Sequence, residues 1–258
     1  MASTTTAETR VPNRAAPPGD PVRTFPGWWP LLVQALLVGG AALCYFGVRG
    51  LTQSSLIPAQ QNARDLMAVE RRLGLDWETW MQGLIIHHAW LVNLVDGIYI
   101  YGHWPVIVVT LGWLFLRAPD RYLLLRNAMF VSGAIGLVVF ALMPVAPPRL
   151  GVLALTDTVT QHTEAYRTLQ PPGLINRYAA LPSLHLGWNL LVGVILWRTT
   201  RNRLVRVFAV AMPVAMAFAV VATANHYVID VPAGAVVALA GLAVARMLPV
   251  PEWARPRR

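Results

Sequence analysis

The sequence predicts an all-α polytopic membrane protein: a bundle of six transmembrane helices, with interfacial helices between spans 1 and 2. Three observations predict it. Of the 258 residues, 56% are hydrophobic and only 13% are charged, against about 25% charged in an average soluble domain. Six segments are apolar over roughly the 20 residues that a helix needs to cross a bilayer: 29–48, 100–117, 123–143, 181–198, 205–224 and 227–248. The net charge of +9 is carried by arginine with no lysine, and the arginines sit mostly at the ends of those segments. That is how a multi-span membrane protein distributes its cations. No compact basic face or base-stacking motif accompanies the charge, which excludes nucleic acid as a partner.

Residues 1–27 are rich in Thr, Ala and Pro, with Arg10, Arg14 and Arg23. No apolar core comes early enough for a cleaved signal peptide, so a disordered cytoplasmic tail is expected ahead of a retained first span. That span, 29–48, holds the lone cysteine, Cys44, which can form no intramolecular disulfide and reads as a small core residue. Segment 49–99 differs. It mixes Arg49, Arg64, Asp65, Glu70, Arg71, Arg72, Asp76, Glu78, His87, His88, Asn93 and Asp96 with Trp77, Trp80 and Trp90. Such a mixture suits helices lying in the membrane interface.

Orientation follows from the arginines. The links RAPDR (117–121) and RTTRNR (198–203) and the tail RPRR (255–258) should be cytoplasmic, as should the N-terminal tail. Six spans satisfy all four assignments. The membrane domain then runs over 28–250, residues 251–258 form a cytoplasmic tail, and loop 144–180 and the junction near 225 face outward. Arg49, Arg64, Arg71 and Arg72 also land outside, in a loop long enough for the charge rule to act weakly. In the last span, AGAVVALAGLAVA (233–245) places Gly234 with Ala238 and Gly241 with Ala245 at four-residue spacing. Small residues at that spacing let helix backbones approach closely in lipid.

Three stretches then meet at the outer face: MPVAPPRL (143–150), LPSLHLG (181–187) and ANHYVIDVPAG (224–234). Each holds polar or ionisable residues where apolar ones would insert more easily, and such residues are costly in a membrane. No other Asp or Glu occurs between 165 and 251 besides Asp230. It lies four residues after His226, so on a helix the two share a face. A carboxylate there can bond one imidazole nitrogen, which leaves the other free as nucleophile or base. The bland alternative is a capped helix with both residues in the headgroup zone. One His and one Asp are too few ligands for a metal. Ser183 is a good N-cap beside Pro182, and free N–H groups at such an end attract phosphate. His185 could exchange a proton beside the bound anion. Arg149 ends a proline-stiffened turn and suits phosphate oxygens, with headgroup anchoring as its alternative. Arg177 is a lesser candidate of the same kind. Asn176, Tyr178 and Asn225 could add further hydrogen bonds.

PVAPPR, YAALPSLH and NHYVID, in this order and each at a span boundary, resemble the motifs of the type 2 phosphatidic acid phosphatase superfamily. The resemblance covers about residues 95–248 and is greatest to the branch around inositol phosphorylceramide synthase and related bacterial membrane proteins. It implies a six-helix bundle with a metal-independent, cofactor-free site at the lipid–water boundary. By that resemblance His226 attacks phosphorus to form a phosphohistidine, and Asp230 orients it. His185 protonates the leaving alkoxide and then activates the acceptor, and Arg149 holds phosphoryl oxygens.

The sequence also departs from the phosphatase pattern. Leu142 stands where the first motif has Lys, Leu184 where the second has Gly, and Ala219 and Val220 where the third has Ser-Arg. The site therefore has fewer cations than a dianionic phosphate monoester calls for. A phosphodiester carries one charge, so the expected reaction moves a phosphoryl or head group from a phospholipid donor to a lipid or polyol alcohol acceptor. Hydrolysis of lipid phosphates or prenyl diphosphates is the competing enzyme class. A non-catalytic lipid binder or transporter is the third; Pro213 and Pro232 interrupt two spans, but a transporter's repeated halves are not visible.

Overall fold

The computed structural model describes residues 27–51, 56–150, 153, 155–162 and 177–255. The expected tail at 1–27, apart from Gly27, lies outside these residues, as do Asn176 and residues 256–258. The described chain is helical: α1 (Trp28–Leu51), α2 (Leu56–Leu73), α3 (Glu78–Gly83), α4 (Ala89–Tyr101), α5 (Trp104–Arg117), α6 (Pro119–Leu142), α7 (Thr158–His162), α8 (Leu184–Thr199), α9 (Arg203–Ala222) and α10 (Asp230–Met247). Among the described residues, extended pairing is confined to one bridge, between Val145 and Ala179.

Helices α1, α6, α9 and α10 are each long and apolar enough to cross a membrane. The span expected at 100–117 is instead a pair, α4 and α5, that meets the same test only jointly and is bent by 42°. The cause is local. Pro105 has no N–H to give to the carbonyl one turn back, and it sits in the first turn of α5, where a missing donor costs least. The fourth expected span, 181–198, is the 16-residue α8, roughly 24 Å long at 1.5 Å per residue and short of the hydrocarbon thickness. It starts late because Ser183 takes the N-cap and accepts from Leu186 N. The last span begins at Asp230, not 227, because Asn225–Ile229 turns. The amides of both Asn225 and His226 donate to the Val220 carbonyl.

Helix α10 packs on α6 and α8, and α8 also packs on α9. Leu125, Leu191, Ile195 and Leu242 fill the space between them. The small residues of α10 set how closely it lies. A Cβ on Gly234 would strike the Ser183 carbonyl, and one on Gly241 would sit about 3.0 Å from Ser132 Cβ. Gly187 of α8 faces Gly234 in turn: its Cβ would stand 2.7 Å from the Gly234 carbonyl oxygen. The two spaced pairs therefore serve different neighbours, one α8 and one α6.

Alternating helix directions sort the ends of the bundle. The C-terminal ends of α6 and α9 and the N-terminal ends of α8 and α10 carry the three motif stretches. The arginine-rich links 117–121 and 198–203 join the opposite ends. Across the motif end lies α2. Its buried residues, Ala59, Ala63, Leu66, Met67 and Glu70, recur at helical spacing and pack against Val145, Ala146, Ala180 and Tyr227.

Candidate active site

Main-chain bonds sew the three motif stretches together. Val145 N donates to Tyr178 O at 2.8 Å and Ala180 N to Val145 O at 3.3 Å, joining the first to the second. Ser183 N donates to Asp230 O at 3.1 Å, joining the second to the third. Arg149 N donates to Ala224 O at 3.1 Å and closes the ring. Ala224 carries a φ of 56°, a left-handed conformation that costs a non-glycine residue roughly 1–2 kcal/mol. The Tyr227 hydroxyl donates to Ala146 O at 3.0 Å. Burial first, and then the charges of Asp230, Glu70 and Glu78, push the phenol's pKa up, so it stays a donor.

His226 is 5% exposed. Its Nδ1 lies 2.7 Å from the Ala180 carbonyl oxygen and 3.3 Å from Asp230 Oδ2. A carbonyl oxygen only accepts, so Nδ1 carries the hydrogen and, in the neutral ring, Nε2 keeps its lone pair. The sequence spacing thus brings His226 and Asp230 together, with Ala180 as a second acceptor. Asp230 itself is fully buried and takes a shorter bond, 2.8 Å, from Tyr227 N. It therefore shapes the turn as well as facing the imidazole.

His185 stands in the first turn of α8, its ring centre 6.0 Å from that of His226. Two further rings pack on it: Tyr99 of α4 at 4.5 Å, nearly parallel, and His103 at 4.2 Å. His103, at the break between α4 and α5, is 4% exposed and stacks on Trp188 at 5.8 Å. Asn189 ties the group together: its Nδ2 donates to the His185 carbonyl at 2.9 Å and lies 3.3 Å from His103 Nδ1. Sequence reasoning missed His103. Its signal was the GHWP interruption, 102–105, inside an apolar run.

Arg149 lies in a 3₁₀ turn, Pro148–Leu150. Its Nη1 donates to Asn225 Oδ1, and its Nε lies 3.4 Å from Asp157 Oδ2. Asn225 spends its own donors on Thr223. Asp157 was also missed; it is one of two acids in a long loop, with Glu164 the other. Ser183 is fully buried and occupied as the cap of α8, a 3.5 Å bond from Leu186 N. Arg177 is exposed and shares no contact with the histidines or Arg149 among those described. The positions where phosphatases have cations are filled otherwise. Leu142 is 81% exposed, and Ala219 and Val220 are wholly buried in an apolar cluster. Leu184 packs on α6, where a Cβ on Gly136 would meet its Cδ1 at 2.9 Å. Among the described residues, no three His, Cys, Asp or Glu side chains converge as a metal site.

No curated protein and no solved structure matches the chain. The family described as the PAP2 superfamily matches residues 64–244, which takes in all three motif stretches and reaches back into α2. On that match, over apolar helices whose ends carry the two histidines, Asp230 and Arg149, the chain belongs to the PAP2 superfamily.

Proposed function

We propose that the protein is a membrane lipid phosphotransferase resembling inositol phosphorylceramide synthase and working through a phosphohistidine at His226. Superfamily membership supports an enzyme of the phosphatase or phosphotransferase type. The observation that carries the covalent step is the tautomer of His226. With Nδ1–H held by Ala180 O and Asp230, Nε2 has the lone pair needed for attack.

In the first step Nε2 bonds to phosphorus as the bond to the lipid alkoxide breaks. His185 gives that alkoxide a proton. In the second step an acceptor alcohol loses its proton to His185 and attacks phosphorus, and the P–N bond breaks to restore His226. Arg149 steadies the phosphoryl oxygens. Its charge is partly answered by Asp157, which favours a singly charged phosphodiester over a dianionic monoester.

In this reading the bent α4–α5 pair and α8 each complete a crossing, which makes six spans, and α2 and α3 lie in the interface. The arginine links face the cytoplasm and the site faces out, in a cell-membrane protein whose N- and C-termini are both cytoplasmic. Ser183 and Arg177 serve the phosphate at most through the helix N-terminus and by long-range attraction. Lipid phosphate or prenyl diphosphate hydrolysis is the second reading, since water can replace the alcohol.

The test is incubation of purified protein with labelled phospholipids, with and without diacylglycerol, ceramide or a polyol, in buffer and in chelator. A new lipid bearing the head group supports transfer, and inorganic phosphate supports hydrolysis. Wild-type turnover in His226→Ala would sink the covalent mechanism. Loss in chelator that one metal alone restores would sink the metal-independent one.

A further inference from the structure

The turn that bears His226 is held from outside its own motif. Ile229 N donates to Glu70 Oε1 at 2.8 Å, and Val228 N donates to Glu78 Oε1 at 2.9 Å. Neither amide belongs to a helix interior, so each takes its acceptor from a carboxylate of the neighbouring segment. Glu70 is fully buried and Glu78 is 2% exposed. The rest of this segment grips the other stretches. Asn62 Nδ2 donates to Pro144 O at 2.8 Å, and Ala146 N donates to Ala59 O at 3.0 Å. Gln82 exchanges two 2.9 Å bonds with Thr156 and also donates to Ala222 O.

From this we infer that α2 and α3 form the rear wall of the active site, and that Glu70 and Glu78 are positioning residues that hold the His226–Asp230 turn in its reactive shape. The inference rests on the proposed role of His226 and adds two residues that touch no substrate.

Glu70 and Glu78 accept from adjacent amides, and two carboxylates brought together have no hydrogen to share. Among the described residues nothing donates to Glu70 Oε2, so it is the oxygen that can carry a hydrogen. Burial raises the Glu70 pKa; the bond from Ile229 lowers it, and the charges of Glu78 and Asp230 raise it again, leaving it at about 8. The groups acting on Glu70 are Glu78 from α3, Asp230 from α10 and Tyr227 on the turn. The cations of its own helix, Arg64, Arg71 and Arg72, are exposed. Neutral Glu70 therefore keeps the turn closed. Its ionisation sets a third anion beside Glu78 and Asp230 and loosens it.

The experiment compares wild type, Glu70→Gln, Glu70→Ala and His226→Ala, each full-length in lipid nanodiscs, by kcat and KM across pH 6–10. The substrate is whichever labelled lipid the wild type turns over. Gln keeps the acceptor for Ile229 N, supplies a donor to Glu78 and cannot ionise. Glu70→Gln should keep most of kcat and lose the fall in kcat that the wild type shows above about pH 8. Glu70→Ala should lose roughly tenfold to a hundredfold in kcat with KM little changed, the scale expected of a misplaced reactive group. A Glu70→Gln profile that falls like the wild type's, or a Glu70→Ala enzyme with wild-type kcat, overturns the inference. Activity that survives in His226→Ala overturns the underlying mechanism instead, so the two failures are told apart.

Discussion

The imidazole rings of His103 and His185 lie 4.2 Å apart, centre to centre, although 82 positions separate them in a chain of 258. One sits at the break of a bent helix pair and the other in the first turn of α8. With Tyr99 also against His185, the ring has little freedom to turn away from the reacting phosphate. Replacing His103 by Ala should lower kcat roughly tenfold to a hundredfold, as expected of a displaced acid–base group, with a smaller effect on KM. His103→Phe should recover part of that loss, because it keeps a packed ring without the contact to Asn189. Equal kcat in both variants and wild type would show the stack to be incidental.

Asp230 shares the task of fixing the His226 tautomer with the Ala180 carbonyl, which is the nearer acceptor at 2.7 Å. Asp230→Asn should therefore cost about 10- to 100-fold in kcat, less than the roughly ten-thousandfold loss seen where an aspartate alone sets the tautomer. Single-turnover trapping of the labelled phosphoenzyme measures it. A four-order loss would mean that Asp230 decides the tautomer unaided.

In the proposed reaction the Arg149–Asp157 pair tunes charge at the phosphate. Asp157→Asn should free the guanidinium and lower KM for a lipid phosphate monoester several-fold more than for a diester. Arg149→Ala should weaken binding and chemistry together. Arg149→Lys should not restore them, since lysine lacks the planar fork. Kinetics on a matched monoester and diester pair decide the matter; an unchanged KM ratio in Asp157→Asn would remove the charge-tuning role.

Gly234 is where α10 touches the carbonyl of Ser183, the cap of α8. Gly234→Val should destabilise the protein by about 1–3 kcal/mol or more and displace His185, lowering both thermal stability and kcat. Gly39→Ala in α1 is the control, since the added Cβ meets nothing within 4 Å. Thermal unfolding in detergent compares them, and equal melting of the two variants would contradict the close crossing.

The apolar runs and the order of the three motif stretches were legible in the sequence as local patterns, and so was the closeness of His226 to Asp230, although a turn and not a shared helix face brings them together. The hydropathy pattern also located the ends of α8 and α10 to within three residues, with Ser183 read as an N-cap. What the sequence could not show is what lies against those stretches. Glu70 reaches Ile229 across 159 positions and Glu78 reaches Val228 across 150. Read along the chain, both look like the solvated charges of an interfacial helix. His103 likewise looks like a stray polar residue until the bend at Gly102 and Pro105 turns it toward Asn189. A buried polar group declares its purpose only through the partner that satisfies it. For Glu70, Glu78 and His103 that partner is brought in by helix packing, so the tertiary structure alone decided their place in the site.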